Sequence, residues 1–524
     1  MSTSIKRGLY LVHRWLGIAA CVFFAMWFVS GIVMMYVGYP KLTAAERLAH
    51  LPPLEREAAY LAPEAALKAA GIGGALQDLR LAAASGGRAV YLATPAAPQG
   101  DSPSMHGGHI AGQTVIDAIT GQRLAGADRS RAMATAAAFA GTDAGLGYLG
   151  MVQEDAFSHA RSFGPHRPLH LVALGDEGGT QLYISSATGE VLTDVTRTER
   201  IWNFAGAWIH WLYPFRGNVF DRYWADIVDW ISIACTVAAV TGAAVGLLRW
   251  RFHHPYRSGA RTPYLPGMMR WHHIVGLLFA LTTITWIFSG LMSMNPWKIF
   301  DTGAKPLQIE AMQGGRLILT PEDASPAVLL SQAAGPVREL RWARSMGSNA
   351  VAAYKAAGTP ILLDSQTAQP RILEATRLKQ AASHLLTAPV VRIETLRDYD
   401  FFYYARAEHT MTGGAEKPLP ILRVVFDDPH ATWVHIDATT GVVLGRLDRG
   451  SRASRWLFSM LHSWDWLPLL QRRPLWDALL LLLSTGGVIL SLTSMVIGWR
   501  RLGRKWGAAH AKPRLRSSNP SPSA

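Results

Sequence analysis

Cysteine is scarce in this sequence, and several cofactor-binding motifs are missing from it. Only Cys21 and Cys235 occur among 524 residues, too few for a disulfide framework or a thiolate-held iron–sulfur cluster. The C-x-x-C-H pattern of covalent haem attachment is absent, as are G-x-G-x-x-G after a strand and G-x-x-x-x-G-K-[ST]. We therefore expect no binding of NAD(P)H or ATP by the chain itself, and any redox cofactor must use ligands other than thiolates.

Charged residues are also absent from four long apolar runs. About 20 apolar residues at 1.5 Å each cross the hydrocarbon core of a bilayer, and each run has roughly that length. The first run is too long for the apolar part of a signal peptide, so it is interpreted as a retained anchor. A soluble protein is excluded. The runs are Trp15 to Val37, Trp230 to Leu248, Trp271 to Trp297 and Ala478 to Trp499.

The net charge of +14 comes from three short flanks of the apolar runs. Residues 1–14, 249–270 and 500–524 carry 15 lysines and arginines and no acidic residue. Basic flanks stay on the cytoplasmic side of a membrane, so both termini are predicted to lie inside and the long segments between runs outside. Because the excess is confined to these flanks, we expect contact with membrane lipids and no binding of nucleic acid.

The chain contains an internal repeat. At an offset of 259 residues His13 and Gly17 align with His272 and Gly276, and at an offset of 252 His210 aligns with His462. Leu212 against Trp464 is a mismatch in the second block. Each half contains two apolar runs, so both halves begin inside and the repeats are predicted to be parallel, related by an axis along the membrane normal. Further matched pairs are Trp27/Trp286, Ser30/Ser289, Gly31/Gly290, Ile184/Ile436, Thr188/Thr440, Gly189/Gly441, Trp224/Trp476 and Thr241/Thr493.

The segments between the runs have the patterns of small α+β modules, with two hairpins predicted in each half. Each hairpin pattern has alternating apolar residues, then Asp or Ser, then in three of four cases Thr-Gly. The four patterns are residues 113–124, 181–192, 361–372 and 433–444.

These motifs resemble the PepSY-associated transmembrane family. The resemblance rests on HRWLG from His13, HHIVG from His272, D-A-x-T-G at Asp117 and Asp437, and GWRR from Gly498. It implies a bacterial inner-membrane protein with periplasmic PepSY modules, and a likeness to ferrisiderophore reductases that carry b-type haem between helices. The resemblance also implies electron transfer to a periplasmic ferric siderophore or other ferric chelate, and we expect quinol or a separate cytoplasmic reductase as the donor.

The predicted fold is therefore a membrane protein with four transmembrane α-helices as two parallel tandem repeats and α+β PepSY-like periplasmic modules. The predicted boundaries are 1–40 for the cytoplasmic N-terminus and first span, 41–200 for the first PepSY-like region, 201–250 for an interfacial histidine segment and the second span, 251–270 for a basic cytoplasmic loop, 271–297 for the third span, 298–452 for the second PepSY-like region, 453–500 for a second histidine segment and the fourth span, and 501–524 for a basic cytoplasmic tail.

Histidine is the main ionisable residue type within the runs, and neutral imidazole is a good axial ligand of haem iron. His13 and His272 lie at comparable depth near the cytoplasmic edge, so they are predicted to hold one haem b across the repeat axis. Gly17 and Gly276 come one helical turn later, which would leave space for a flat macrocycle. The alternative for the glycines is close helix packing.

His210 and His462 form the second equivalent pair, in tryptophan-rich segments typical of the outer membrane interface. They are predicted to ligate a second haem, which would let electrons cross a core of about 30 Å. The alternative is that both histidines form hydrogen bonds in an aromatic belt.

Weaker candidates remain open. Arg14 and its counterpart His273 either hold a haem propionate or mark the basic membrane edge. Soft-metal binding outside the membrane competes with ordinary loops at two places, Met105/His106/His109 and His409/Met411. Two function classes remain: a haem-relay oxidoreductase, and a non-catalytic membrane protein that binds or regulates a periplasmic partner.

Overall fold

The computed structural model describes residues 2–96, 112–411 and 413–510 of the chain. These residues form two compact units. The first, the membrane unit, comprises Met1–Ile32, Phe220–Pro296 and Leu457–Ala524; the second, the sheet unit, comprises Val33–Val219 and Trp297–Trp456. Each unit therefore draws on both halves of the sequence.

The long helices belong mainly to the membrane unit. In chain order the α-helices are α1 (Thr3–Met34), α2 (Ala44–His50), α3 (Pro63–Ala69), α4 (Arg129–Ala140), α5 (Arg197–Asn203), α6 (Trp224–Arg249), α7 (Met268–Leu278), α8 (Ala280–Ser293), α9 (Ile309–Gln313), α10 (Pro326–Gln332), α11 (Ala375–Ala382), α12 (Arg449–Ser454), α13 (Leu461–Ser463), α14 (Leu467–Leu470) and α15 (Arg473–His510). Among the described residues, three helical stretches are long and apolar enough to cross a membrane: Thr3–Met34, Asp221–Arg249 and Arg473–Trp506. A multi-pass membrane protein is thereby supported.

The predicted third span is not one continuous helix. It consists of α7 and α8, which meet at Phe279 with a bend of 68°. If this bent pair counts as one span, the described part of the chain has four. Helix kinks usually occur at proline or at glycine and serine pairs, and no proline lies between Met268 and Ser293. The predicted third span therefore corresponds to a bent pair of helices.

The sheet unit contains fourteen strands within the described residues. They are β1 (Leu76–Ser85), β2 (Arg88–Pro95), β3 (Thr114–Asp117), β4 (Gly147–Val152), β5 (Leu169–Ala173), β6 (Gln181–Ser185), β7 (Val191–Val195), β8 (Val337–Ser345), β9 (Ser348–Lys355), β10 (Ile361–Asp364), β11 (Val390–Leu396), β12 (Ile421–Phe426), β13 (Trp433–Asp437) and β14 (Val443–Leu447). They form a six-stranded sheet in the order β10-β9-β8-β1-β2-β3 and two four-stranded sheets, β4-β5-β6-β7 and β11-β12-β13-β14.

The six-stranded sheet corrects the prediction that each half forms its own modules. β1 from the first half pairs antiparallel with β8 from the second, with Leu81 opposite Leu340. Both strands are central, and most residues of β1 and five of the nine residues of β8 are buried. On one face Leu79, Leu81 and Trp342 pack into the largest apolar core of the described residues. The two halves are therefore joined by main-chain hydrogen bonds.

The D-x-x-T-G motif is explained by its turn geometry. The Asp117 carboxylate accepts hydrogen bonds from the backbone N–H groups of Ile119 and Thr120 at 3.0 and 2.9 Å, which is an Asx turn. Gly121 then adopts φ +73°, a conformation that glycine takes without steric cost. In the one motif without glycine, Ala368 adopts φ +56°.

The hairpin predictions are confirmed for two of the four patterns. Residues 181–192 and 433–444 contain the antiparallel pairs β6–β7 and β13–β14. Residues 113–124 and 361–372 each form only one strand, and the returning arm makes an isolated bridge, Ile116 to Arg123 and Leu363 to Pro370.

Candidate functional site

The membrane unit encloses a cavity of about 360 Å³. Helices α1, α6, α7, α8 and α15 all contribute to its wall, so both halves of the sequence line it. The polar, charged and glycine positions of the wall include Tyr10, His13, Arg14, Gly17, Gly242, Gly246, Arg249, Tyr264, His272, His273, Gly276, Ser494, Gly498 and Arg501. Most of the remaining wall is apolar.

The cavity brings together the first pair of predicted ligands, His13 and His272. Their ring centroids are 6.2 Å apart and their planes lie within 23° of parallel. This separation lies within the range of about 4.5–7 Å between the centroids of offset-stacked rings. The two imidazoles therefore lie side by side in the cavity wall with nearly parallel planes.

The hydrogen bond of His13 fixes its tautomer. Nδ1 lies 3.2 Å from the carbonyl oxygen of Ala238 in α6. A carbonyl can only accept, so Nδ1 carries the proton and Nε2 keeps its lone pair. Gly242 makes room for the ring, since a Cβ there would lie 2.6 Å from Cε1 and 2.9 Å from Nδ1 of His13.

His272 reaches the same state through hydroxyl groups. Its Nδ1 lies 3.2 Å from Ser494 Oγ and 3.4 Å from Thr493 Oγ1. Both hydroxyls donate to the carbonyl of Leu490, at 2.9 and 2.8 Å, so their oxygens accept from Nδ1–H. His272 Nε2 is therefore also left with its lone pair. Ala238 and Leu490 are themselves equivalent at the 252-residue offset, so the two rings are held at matching places.

Gly17 and Gly276, predicted to leave space for a macrocycle, both line the cavity. A Cβ at Gly17 would meet only His13 Cε1, at 3.9 Å, whereas one at Gly276 would lie 3.3 Å from Leu490 Cδ1. Gly17 thus faces open space, and Gly276 also permits close helix packing. Gly17 therefore agrees with the prediction of space for a macrocycle, and Gly276 with the alternative of close helix packing.

The charged side chains of the cavity wall are all basic. Arg14, Arg249 and Arg501 line it, and no aspartate or glutamate is among its lining residues. Arg14 is exposed, while Arg249 and Arg501 are half-buried. The cavity is therefore electropositive where these arginines lie.

His273, the counterpart of Arg14, is buried and forms hydrogen bonds through both ring nitrogens. Its Nε2 lies 2.9 Å from the Gly246 carbonyl, and its Nδ1 lies 2.7 Å from Thr262 Oγ1. Nε2 must donate to the carbonyl, so Nδ1 accepts from the threonine hydroxyl. Both nitrogens are engaged within the protein, and His273 fixes the loop after α6 to α7.

The second predicted pair, His210 and His462, shares a local conformation. Each histidine comes two residues after a π-helical turn, Phe204–Trp208 or Arg455–Met460. Two residues further on, Leu212 and Trp464 adopt φ +54° and +50°, an uncommon conformation for such side chains. Leu212 and Trp464 therefore differ in residue type but share the left-handed backbone conformation.

The Nδ1 atom of His462 is hydrogen-bonded in the same way as that of His272. Its Nδ1 lies 3.0 Å from Ser289 Oγ, and that hydroxyl donates to the Trp286 carbonyl at 3.0 Å. Ser289 must therefore accept from Nδ1–H, which leaves the lone pair on Nε2. His210 belongs to the sheet unit and His462 to the membrane unit, so their pairing stays a prediction.

The other histidine candidates have protein partners or fall outside the described residues. His409 Nε2 lies 2.9 Å from the Met35 carbonyl, and Met411 is exposed. Met105, His106 and His109 lie outside the described residues. Within residues 2–96, 112–411 and 413–510, no three His, Cys, Asp or Glu side chains converge to hold a bare metal ion.

Sequence reasoning missed Gly242, Arg249 and Arg501. The 252-residue offset carried a signal for the arginines, because 249 aligns with 501. Gly242 aligns with Ser494, a different residue type, so only the position of the His13 ring reveals its role.

The comparisons with known proteins identify a family. Residues 10–327 match the family model described as the PepSY-associated TM region, which covers more than half of the 524 residues. The chain therefore belongs to this family. No curated protein matches it.

Proposed function

We propose that this member of the PepSY-associated TM region family is a b-type haem oxidoreductase of the bacterial inner membrane. It would pass electrons across the membrane to a periplasmic acceptor, a ferric siderophore or other ferric chelate. The observation that carries the proposal is the opposed pair His13 and His272 in an electropositive cavity, both with the lone pair on Nε2.

The spacing of this pair would allow His13 and His272 to hold one haem iron together. An imidazole nitrogen lies about 2 Å from a ligated transition metal and about 1.1 Å from its own ring centroid. The observed centroid separation of 6.2 Å would therefore leave room for one metal ion held by both imidazoles. Iron in a macrocycle needs only two protein ligands, which agrees with a pair and with no larger cluster among the described residues.

The rest of the cavity also suits haem b. Gly17 leaves open space one turn from His13, and the arginines offer partners to carboxylates. Ala238, Thr493 and Ser494 hold the Nδ1 protons in place, which orients both rings. Phe24, Phe28 and Leu277 form part of the apolar wall that excludes water. When bound, haem supplies one-electron transfer.

Transmembrane transfer needs a second site, and we propose His210 and His462 for a second haem. The shared π-helical turn and left-handed residue support their equivalence, and π-helical turns are frequent at functional sites. In this proposal the four spans form two parallel tandem repeats, with His13 and His272 near the cytoplasm and the second pair near the outer face.

The proposed orientation rests on the basic flanks. With these inside, both termini are cytoplasmic and the sheet unit is periplasmic, where it would shape a docking surface for the acceptor. Electrons would enter from quinol or a cytoplasmic reductase. Reduction of ferric iron by one electron weakens its hold in an oxygen-rich chelator, so the metal is released while the chelator stays intact.

The test begins with the purified full-length protein from haem-replete cells. We expect a low-spin b-type spectrum, haem extractable by acid acetone, and about two haems per chain if each pair binds one. The protein is then reduced anaerobically and mixed with a ferric siderophore while haem reoxidation and capture of Fe(II) by a ferrous-specific dye are monitored. A colourless preparation would reject the relay in favour of a partner-binding protein. Reoxidation by a quinone or a periplasmic protein but by no ferric chelate would reject iron as the acceptor.

A further inference from the structure

The positive charge of the membrane cavity has no counter-charge among the residues that line it. Arg14, Arg249 and Arg501 contribute to the wall, and the lining residues include no carboxylate. A cation beside an apolar cavity is costly unless an anion and hydrogen-bond acceptors accompany it. An anionic ligand group would therefore balance the positive charge of the cavity wall.

Arg249 and Arg501 occupy equivalent places in the two halves. They are 252 residues apart, and each comes three residues after a cavity-lining glycine, Gly246 or Gly498. Residues three apart lie on the same face of a helix, so each arginine is on the cavity face of α6 or α15. Arg249 is seven residues after Gly242, about 10 Å along the helix. The side chains can therefore approach a ligand whose centre is held at the histidines.

The local contacts leave the charge of both guanidinium groups without a carboxylate partner among the cavity-lining residues. Arg249 Cζ lies 4.7 Å from the ring centroid of Tyr10 and 5.5 Å from that of Tyr264. The guanidinium also donates hydrogen bonds to the two tyrosine hydroxyls, which orient the charge but, being neutral, do not balance it. Arg501 Nε is buried and makes no hydrogen bond to any described residue. A buried donor without an acceptor is costly, and a ligand oxygen would remove that cost.

The two other basic candidates, Arg14 and His273, are less suitable for binding an anion. His273 uses both ring nitrogens, toward Gly246 and Thr262. Arg14 is exposed, so it is less enclosed by the cavity than the half-buried Arg249 and Arg501. The pair at equivalent positions in α6 and α15, Arg249 and Arg501, remains.

We infer that Arg249 and Arg501 bind the two carboxylates of the macrocyclic cofactor, whose carboxylate edge then faces the basic end of the cavity. This inference rests on the proposed function. Arginine and carboxylate form charge-assisted, often bidentate hydrogen bonds. The arginines also place positive charge beside the cofactor, which favours its reduced form and raises its midpoint potential.

The test compares haem b with its dimethyl ester, which lacks carboxylate charge. Full-length protein from haem-deficient cells is reconstituted with each, as wild type, R249Q, R501Q and R249Q/R501Q. The control variant is R500Q, because Arg500 is exposed and adjacent in α15 but does not line the cavity. We expect wild type and R500Q to bind haem b at least about tenfold more tightly than the ester, and the double variant to lose most of this preference. Redox titration should show lower midpoint potentials for R249Q and R501Q than for R500Q.

The outcomes separate the inference from the proposed function. If wild type and double variant prefer haem b over the ester to the same degree, the arginines do not bind the carboxylates. That result would also be expected if an anionic lipid headgroup occupied the arginines. If the wild type binds neither form with a low-spin spectrum, the proposed function itself fails. A variant that binds the ester as the wild type does is folded, so its weaker binding of haem b supports the inference.

Discussion

Replacing Gly242 by alanine tests whether the position of the His13 ring is essential. The added methyl group would lie 2.6 Å from Cε1 and 2.9 Å from Nδ1 of His13, closer than real Cβ atoms approach such neighbours. Either α1 and α6 must separate, or the imidazole must turn away from the Ala238 carbonyl.

The magnitudes favour movement of the ring. Overpacking that shifts helices costs about 1–3 kcal/mol, whereas a lost neutral hydrogen bond costs on the order of 1 kcal/mol. The gain in helix propensity from glycine to alanine is up to about 1 kcal/mol and partly offsets either cost. We therefore expect Gly242→Ala to fold with nearly normal stability but with Nε2 of His13 displaced from its axial place.

The assay is the absorption spectrum and haem content of the purified variant, with its thermal midpoint as a check of folding. Gly503→Ala is the matched control, because a Cβ at Gly503 meets no atom within 4 Å and the substitution supplies only the propensity gain. We expect loss of one low-spin haem signal in Gly242→Ala and none in Gly503→Ala. A Gly242→Ala protein with the full wild-type spectrum would refute the assignment of His13 as a ligand.

Three further predictions concern ligation, orientation and pH. His13→Ala and His272→Ala should lose the same haem signal, and His210→Ala and His462→Ala a different one; a match between His13→Ala and His210→Ala would disprove the pairing across halves. Reporter fusions after Val37 and Trp297 should report the periplasm and those after Arg257 and Lys512 the cytoplasm, and the opposite pattern would place the sheet unit inside. Burial, and to a smaller extent the charges of Glu46 and Glu199, raises the pKa of Asp194 to about 6. The native state therefore binds more protons than the unfolded state between about pH 4 and 6. Because of this difference, the free energy of unfolding falls as the pH rises through that range. Asp194→Asn should therefore stabilise the sheet unit at pH 7.5 by on the order of 1 kcal/mol after screening and have little effect near pH 4, as measured by thermal unfolding; equal effects at both pH values would contradict this cause.

His13 and His272 could be predicted from the sequence because the internal repeat contains the same histidine and neighbouring residues twice. His13 and His272 recur with a glycine four residues later, and the structure places both rings in one cavity. The partners of their Nδ1 atoms could not be predicted in the same way. Ala238 contributes only a backbone carbonyl, which any residue type offers, so no side-chain pattern marks it.

The pairing of β1 with β8 and the bend between α7 and α8 could not be predicted from local sequence patterns either. Pairing of β1 with β8 links residues about 260 positions apart, and alternation of apolar residues states which face is buried but not which strand is the neighbour. Residues 271–297 have the composition of one span. The break lies at Phe279, whose ring occupies the place that a Cβ on Gly486 would need, so the bend is associated with packing against α15, a contact that composition does not encode.

Arg14 and His273 show why equivalence in a repeat does not imply the same role. They occupy matching positions, each next to a cavity histidine, yet Arg14 is exposed and His273 is buried between Gly246 and Thr262. A buried arginine at 273 would need five hydrogen-bond acceptors, whereas neutral histidine needs one acceptor and one donor, which the Gly246 carbonyl and the Thr262 hydroxyl supply. The loop after α6 connects the first half to the second, so only the second half has a threonine there to bind. The difference at this position accompanies the loop that connects the two halves. The positive charge at the cavity comes from Arg14 and from Arg249 and Arg501, which occupy equivalent positions in the two halves.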